Sequence, residues 1–285
     1  MRKLLIIFSL VVLIASCKMN DTITPVSPDP AVAITYSDIG YGTDPLQKMD
    51  IDLPAGRTVN TTKTIVVIHG GAWVDGDKTD MTFVLDSIKK RSPNFAFINL
   101  NYRLAINGVS DLFPTQELDV KSAIEYYLSK SAGYGVSQDL IVLGASAGAH
   151  LALLHSYKND PNKHVKAVVD FFGPIDLEAI FNQGLFQEIA LIEVIGQSYS
   201  QDSTMYKQSS PINFVSDQSP PTIALQGGMD DIVIPEQTTM LIDQLNAAGV
   251  SNQLVTYPNE GHGFTDADNS DALNKILPFL ATHVK

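Results

Sequence analysis

From Thr64 onward, short apolar runs alternate with longer amphipathic stretches, and few folds accept that rhythm. The strand-like runs are Thr64–His69, Phe95–Leu100, Leu140–Leu143, Val165–Phe172, Thr222–Gln226 and Gln253–Tyr257. Helix-like periods lie between them, at about Met81–Lys90, Gln116–Lys130, Ala147–Tyr157, Glu236–Ala248 and Ser270–His283. Strands separated by helices of this length require right-handed crossovers, which predicts an α/β fold with a mostly parallel central sheet flanked by helices on both faces. Isoleucine, valine and leucine crowd the runs, as strands buried on both sides demand. Ahead of them, Ala33–Ser37 and Lys48–Leu53 read as an antiparallel pair at one sheet edge.

One segment breaks the rhythm. Residues 177–218 offer two helical stretches, Leu177–Gln183 and Phe186–Ile195, and no strand-like run. Carrying Phe181, Leu185, Phe186 and Tyr199, this insertion reads either as a small helical cap over a pocket or as packing on the sheet edge. With 285 residues, 45% of them hydrophobic, the chain can bury a full core, and one catalytic domain over 32–285 is expected. Its formal charge of -12, with no local cluster of Lys and Arg, argues against nucleic-acid partners.

The first residues read as a targeting segment. Arg2 and Lys3 precede an apolar run from Leu4 to Ile14, about half of the ~20 residues a spanning helix needs, so 1–16 is expected to be a signal peptide. The run ends in Ile14-Ala15-Ser16-Cys17, similar to a bacterial lipoprotein cleavage box, with the chain's sole cysteine placed for lipidation. The expectation is an exported protein anchored to membrane lipid through acylated Cys17; ordinary cleavage and soluble secretion is the alternative. Residues 17–31, with Pro25, Pro28 and Pro30 among small polar residues, are expected to form a flexible tether.

Chemistry concentrates at four places. Gly144-Ala145-Ser146-Ala147-Gly148 follows an apolar strand and opens a helix. Such a sharp turn lifts a serine hydroxyl out of the carboxyl edge of a sheet, and the glycines Gly144 and Gly148 stand where flanking side chains have no room. A serine nucleophile needs a base and an orienting acid. The candidate acid lies in Gly227-Gly228-Met229-Asp230-Asp231 after one strand, and the candidate base, His262, follows the last strand in Asn259-Glu260-Gly261-His262-Gly263-Phe264. Both loops leave the same sheet edge as Ser146. His69-Gly70-Gly71-Ala72-Trp73, directly after the first parallel strand, supplies an oxyanion hole in which the amide of Ala147 and one from Gly71 or Ala72 act as donors. His150, on the helix behind Ser146, reads as a packing or supporting residue. The histidines are scattered without ligand spacing, so neither metal nor other cofactor is implied.

These residues resemble the α/β-hydrolase superfamily, and within it the bacterial esterases related to hormone-sensitive lipase and to acetylxylan and feruloyl esterases. The similarity runs roughly from Asp44 to the C-terminus and is supported by Asn101-Tyr102-Arg103-Leu104-Ala105, Phe113-Pro114 through Val120, and Phe172-Gly173-Pro174-Ile175-Asp176-Leu177. The resemblance implies Ser146 as nucleophile, His262 as base and Asp230 as acid, with Asp231 the alternative acid. It implies a serine carboxylesterase acting on short-chain acyl esters, a small molecule or a glycan bearing acetyl or feruloyl groups. Relatives usually carry a third glycine where Ala72 stands, and many carry an acidic residue where Ala145 stands. The His-Gly-Gly-Ala-Trp form also resembles kynurenine formamidase, which leaves amide hydrolysis as an alternative; a non-catalytic glycan-binding lipoprotein is a third.

Overall fold

The computed structural model describes residues 27–284. The expected signal peptide, Cys17 and most of the expected tether therefore lie outside the described residues. The strands are β1 (Ile34–Gly40), β2 (Lys48–Leu53), β3 (Thr64–Ile68), β4 (Ala96–Leu100), β5 (Leu140–Ala145), β6 (Val165–Phe171), β7 (Thr222–Gly227) and β8 (Asn252–Tyr257). The helices are α1 (Thr82–Arg91), α2 (Thr115–Tyr134), α3 (Ala147–Lys158), α4 (Leu177–Phe181), α5 (Leu185–Ile195), α6 (Ser203–Gln208), α7 (Pro235–Ala247) and α8 (Asp266–His283).

The strands form one sheet in the order β1-β2-β4-β3-β5-β6-β7-β8. β1 and β2 enter antiparallel at one edge, and every pair from β4 to β8 is parallel. Alternation along each strand divides the interior into two layers. On β5, Leu140 and Val142 face a cluster with Val120 and Ile124 of α2, Leu151 and Leu154 of α3, and Leu241 of α7. Ile141 and Leu143 face the opposite cluster, with Leu85 and Ile88 of α1 and Leu273 and Ile276 of α8. Five consecutive buried residues in β3, Thr-Ile-Val-Val-Ile, follow from this double coverage.

The helix limits follow local chemistry. Asp176 caps α4 by accepting from the amides of Glu178 and Ala179, and Gly135 ends α2 in the left-handed region at φ 75°. α8 starts earlier than the apolar period suggests, because Thr265 accepts from the Asp268 amide and sets the first turn in a polar stretch. α4 stops at Phe181, short of the expected Gln183, with Asn182 and Gly184 separating it from α5. The interrupting segment also holds α6 and a 3₁₀ turn at Pro211–Phe214, which the sequence pattern does not announce.

The domain takes hold of the chain before residue 32. The buried Arg57 guanidinium donates to the carbonyls of Pro28, Asp29, Val32, Pro54 and Tyr134. Composition places 28–31 in the tether, but main-chain carbonyls bond to an arginine whatever side chains they carry.

Candidate active site

Parallel pairing brings the carboxyl ends of β3, β5, β7 and β8 to one rim. β4 lies on one side of β3 and β5 on the other, so a crevice opens beyond the end of β3, where open α/β sheets bind ligands.

Ser146 stands between β5 and α3 at φ 53° and ψ −122°, a conformation that a non-glycine residue keeps only when its surroundings hold it. Its amide donates to the Phe171 carbonyl at 2.8 Å, and its carbonyl accepts from the His150 amide at 3.0 Å. The flanking glycines have a second purpose besides the turn. A Cβ on Gly148 would collide with the carbonyls of Ile68 and His69, and one on Gly144 with the carbonyl of Gly148. Their absence lets the first turn of α3 lie directly against β3 and β5.

The Ser146 hydroxyl is 2.8 Å from His262 Nε2, and His262 Nδ1 is 2.8 Å from Asp230 Oδ2. Asp230 has a fully buried side chain. Its Oδ1 accepts from the amides of Ile232 (3.0 Å) and Val233 (2.9 Å), and its Oδ2 also accepts from Gln226 Nε2 at 3.1 Å. The adjacent Asp231 is exposed, and its main-chain carbonyl accepts from Gln187. The imidazole of His262 rests on the Phe172 ring, with centroids 4.8 Å apart.

The loop after β3 completes the rim. Among the described residues, no group accepts from the main-chain N–H of Gly71, Ala72 or Ala147. Gly71, Ala72, Ser146 and His262 line one cleft of about 640 Å³. The loop runs through three successive residues of positive φ: Gly71 at 105°, Ala72 at 49° and Trp73 at 62°. His69 is fully buried and stacks on Tyr102 at 4.3 Å, while its Nδ1 lies 2.7 Å from the Gly70 carbonyl; burial lowers its pKa. Tyr102 donates to the carbonyls of His69 and Gly70, and the Ala105 amide to that of Trp73. Arg103 grips Asp119 through Nε and Nη2 at 2.9 and 2.7 Å. The 101–105 stretch is thus a brace for the loop. Gly70 is a glycine because a Cβ would come within 2.9 Å of the Ala145 carbonyl.

The interrupting segment does both things expected of it: Leu177, Val194 and Ile195 join the buried cluster on one face of the sheet, and other residues reach the cleft. Ile180 of α4 and Phe186, Gln187, Ala190 and Leu191 of α5 line the same cleft as Ser146. The segment roofs the site. Sequence reasoning missed Phe172, Gln226 and Gln187. Phe172 does stand one residue beyond β6 at φ 45°, in a Phe-Phe-Gly-Pro run that signals a tight rim loop.

Fold and constellation together define an α/β-hydrolase. The chain belongs to the BD-FAE family, whose model matches residues 49–245. Esterase LipC of Mycobacterium tuberculosis is 27% identical over 247 residues, covering 81% of this chain and 60% of LipC. A kynurenine formamidase from Scheffersomyces stipitis is 32% identical over 119 residues, 40% of either chain. Among solved structures, a truncated carbohydrate esterase from gut microbiota superimposes with a TM-score of 0.74 at 24% identity, covering 89% of this chain and 99% of that one. The chain spans about 60% of the length of the mycobacterial relative.

Proposed function

We propose that this chain is a serine carboxylesterase working through an acyl-enzyme. The observation that carries the reading is the unbroken hydrogen-bonded line from Ser146 through His262 to Asp230, beside main-chain amides with no acceptor among the described residues. His262 Nε2 takes the Ser146 proton as the oxygen attacks the ester carbonyl. The tetrahedral oxyanion accepts from the amide of Ala147 and from those of the Gly71-Ala72 loop. Collapse expels the alcohol, which leaves with the proton held on His262. Water then loses a proton to the same nitrogen, attacks the acyl-enzyme and releases the acid and free Ser146. Asp230 keeps Nδ1 protonated and stabilises the imidazolium.

For the substrate we infer short acyl groups, acetyl or feruloyl, on small alcohols or carbohydrates. The similarity to the esterase LipC and to a carbohydrate esterase supports an ester substrate of this kind. Export and lipid anchoring through Cys17 would place such an enzyme against external polymers. The partial similarity to a kynurenine formamidase favours one competing reading, hydrolysis of an N-formyl amide.

The test is a panel of aryl esters from acetate to decanoate, feruloyl esters, acetylated xylan and N-formylkynurenine, run on the wild type and on Ser146→Ala. The variant should lose about 10⁴- to 10⁶-fold in kcat on the best ester. Retention of more than a tenth of the activity would refute the mechanism, and faster turnover of the formamide than of any ester would refute the substrate class.

A further inference from the structure

The oxyanion loop poses a mechanical question. Ala72 and Trp73 sit in succession at φ 49° and 62°, a region that side chains with a Cβ rarely occupy, so something must hold them there. Part of the answer is main chain: Val74 and Asp75 donate back to the Gly71 carbonyl at 3.0 and 2.9 Å. Those bonds close the turn upon itself. They do not tie it to the helix that carries Ser146.

One side chain does. The Trp73 indole is buried, and its Nε1–H donates to His150 Nδ1 at 3.3 Å. The two rings meet edge to face, with centroids 4.9 Å apart and planes at 82°, and Phe113 packs beside both, 5.6 Å from the imidazole and 6.5 Å from the indole. The other imidazole nitrogen, Nε2, lies 2.6 Å from the Ser209 carbonyl, at the end of α6. A carbonyl only accepts, so Nε2 carries the hydrogen, and Nδ1 is left as the acceptor the indole requires. Both bonds therefore need the same neutral tautomer. Complete burial favours that form, pushing the pKa of His150 down to about 3. The main-chain amide of His150, for its part, donates to the Ser146 carbonyl.

His150 thus joins three parts of the site: the turn bearing Ser146, the loop bearing Gly71 and Ala72, and the segment that roofs the cleft. We propose that His150 is a positioning residue that fixes the Gly71-Ala72 amides relative to Ser146 by holding the Trp73 indole. The inference rests on the acyl-enzyme reading above. It concerns a histidine that touches neither substrate nor reacting atoms.

The experiment uses Trp73→Phe, His150→Leu, His150→Asn and the Trp73→Phe/His150→Leu double variant, with kcat, KM and thermal unfolding measured on a short-chain aryl ester. Trp73→Phe deletes the N–H and keeps most of the ring. His150→Leu deletes the acceptor. His150→Asn retains one, because its amide oxygen lies near where Nδ1 stood. Displacing oxyanion donors by a fraction of an ångström should lower kcat about 10- to 100-fold in Trp73→Phe and in His150→Leu, with KM within about threefold. The double variant should fall no further than the worse single one, and His150→Asn should recover most of the loss. The proposal is overturned if Trp73→Phe stays within threefold of wild type in kcat, if the two losses multiply, or if His150→Asn is as slow as His150→Leu. If His150→Leu does not fold, Trp73→Phe against His150→Asn decides alone. Ser146→Ala assayed alongside separates the two levels: an active Ser146→Ala condemns the acyl-enzyme reading, whereas an inactive one beside a fully active Trp73→Phe condemns only the role of His150.

Discussion

Two aspartates are buried near the carboxyl ends of neighbouring strands, and their surroundings differ in one respect. Asp230, just beyond β7, accepts from four donors: two main-chain amides, Gln226 Nε2 and His262 Nδ1. Asp170, the penultimate residue of β6, accepts from the Gly173 amide at 2.8 Å through Oδ1, and among the described residues its buried Oδ2 has no partner. Burial alone disfavours charge and pushes the pKa of Asp170 up to about 7, the single amide bond offsetting little. Four donors facing one carboxylate amount to a site built to accept from every direction. Similar depth yields different chemistry, because the number of donors decides what a buried carboxyl can do.

The sharpest way to break this comparison is Asp230→Asn. The amide nitrogen cannot accept from His262 Nδ1, so the ring favours the tautomer that places its hydrogen toward Ser146, and the base is lost. Loss of about 10⁴-fold in kcat is expected with little change in KM. A loss under tenfold would show that His262 is oriented by something other than Asp230.

Asp170→Asn attacks the other half of the comparison, and its effect is on stability. A folded-state pKa raised from 3.8 to about 7 means that the native state holds a proton the unfolded chain has released. The stability associated with that proton is complete below the unfolded value and is lost as pH rises toward 7. Asparagine carries no charge to bury and keeps an oxygen for the Gly173 amide. Its melting temperature should exceed that of wild type by several degrees more at pH 8 than at pH 4, about 2–4 °C per kcal/mol for a chain of this size. An equal difference at the two pH values would mean that Asp170 is not the group that titrates. Activity should change less than threefold, since the Asp170 carboxyl bonds to the Gly173 amide rather than to Ser146, His262 or Asp230.

The sequence conveys the sheet and the members of the site, while their supports stay hidden. Strand periodicity is a backbone property, so β3 to β8 appear within a residue or two of their observed limits. Glycines at 144, 148 and 70 stand out because close approach of main chain excludes every other residue. The contacts between Trp73 and His150, or Gln226 and Asp230, leave no such mark. Each joins residues whose types are unremarkable alone, and only the fold brings position 73 to position 150. α6 escaped for another reason: Ser-Thr-Met-Tyr-Lys-Gln has too few apolar residues for a period, and the Asp202 cap on the Met205 amide defines it. Arg57 escaped likewise, since a buried arginine satisfied by five carbonyls reads in sequence as a surface charge.

The smallest expected effect tests a choice that spacing alone leaves open. Asp230 and Asp231 are adjacent, chemically identical, and on the same loop beyond β7. What separates them is burial. The buried Asp230 carboxylate accepts from the amides of Ile232 and Val233, whereas Asp231 is exposed and its main-chain carbonyl accepts from Gln187 Nε2 at 3.2 Å. Because that bond uses the backbone, Asp231→Asn preserves it and removes one surface charge at high dielectric. Its kcat/KM should stay within about twofold of wild type at moderate ionic strength. A loss of tenfold or more would mean the loop exchanges its two carboxylates during turnover, and burial among four donors would no longer explain which aspartate serves the histidine.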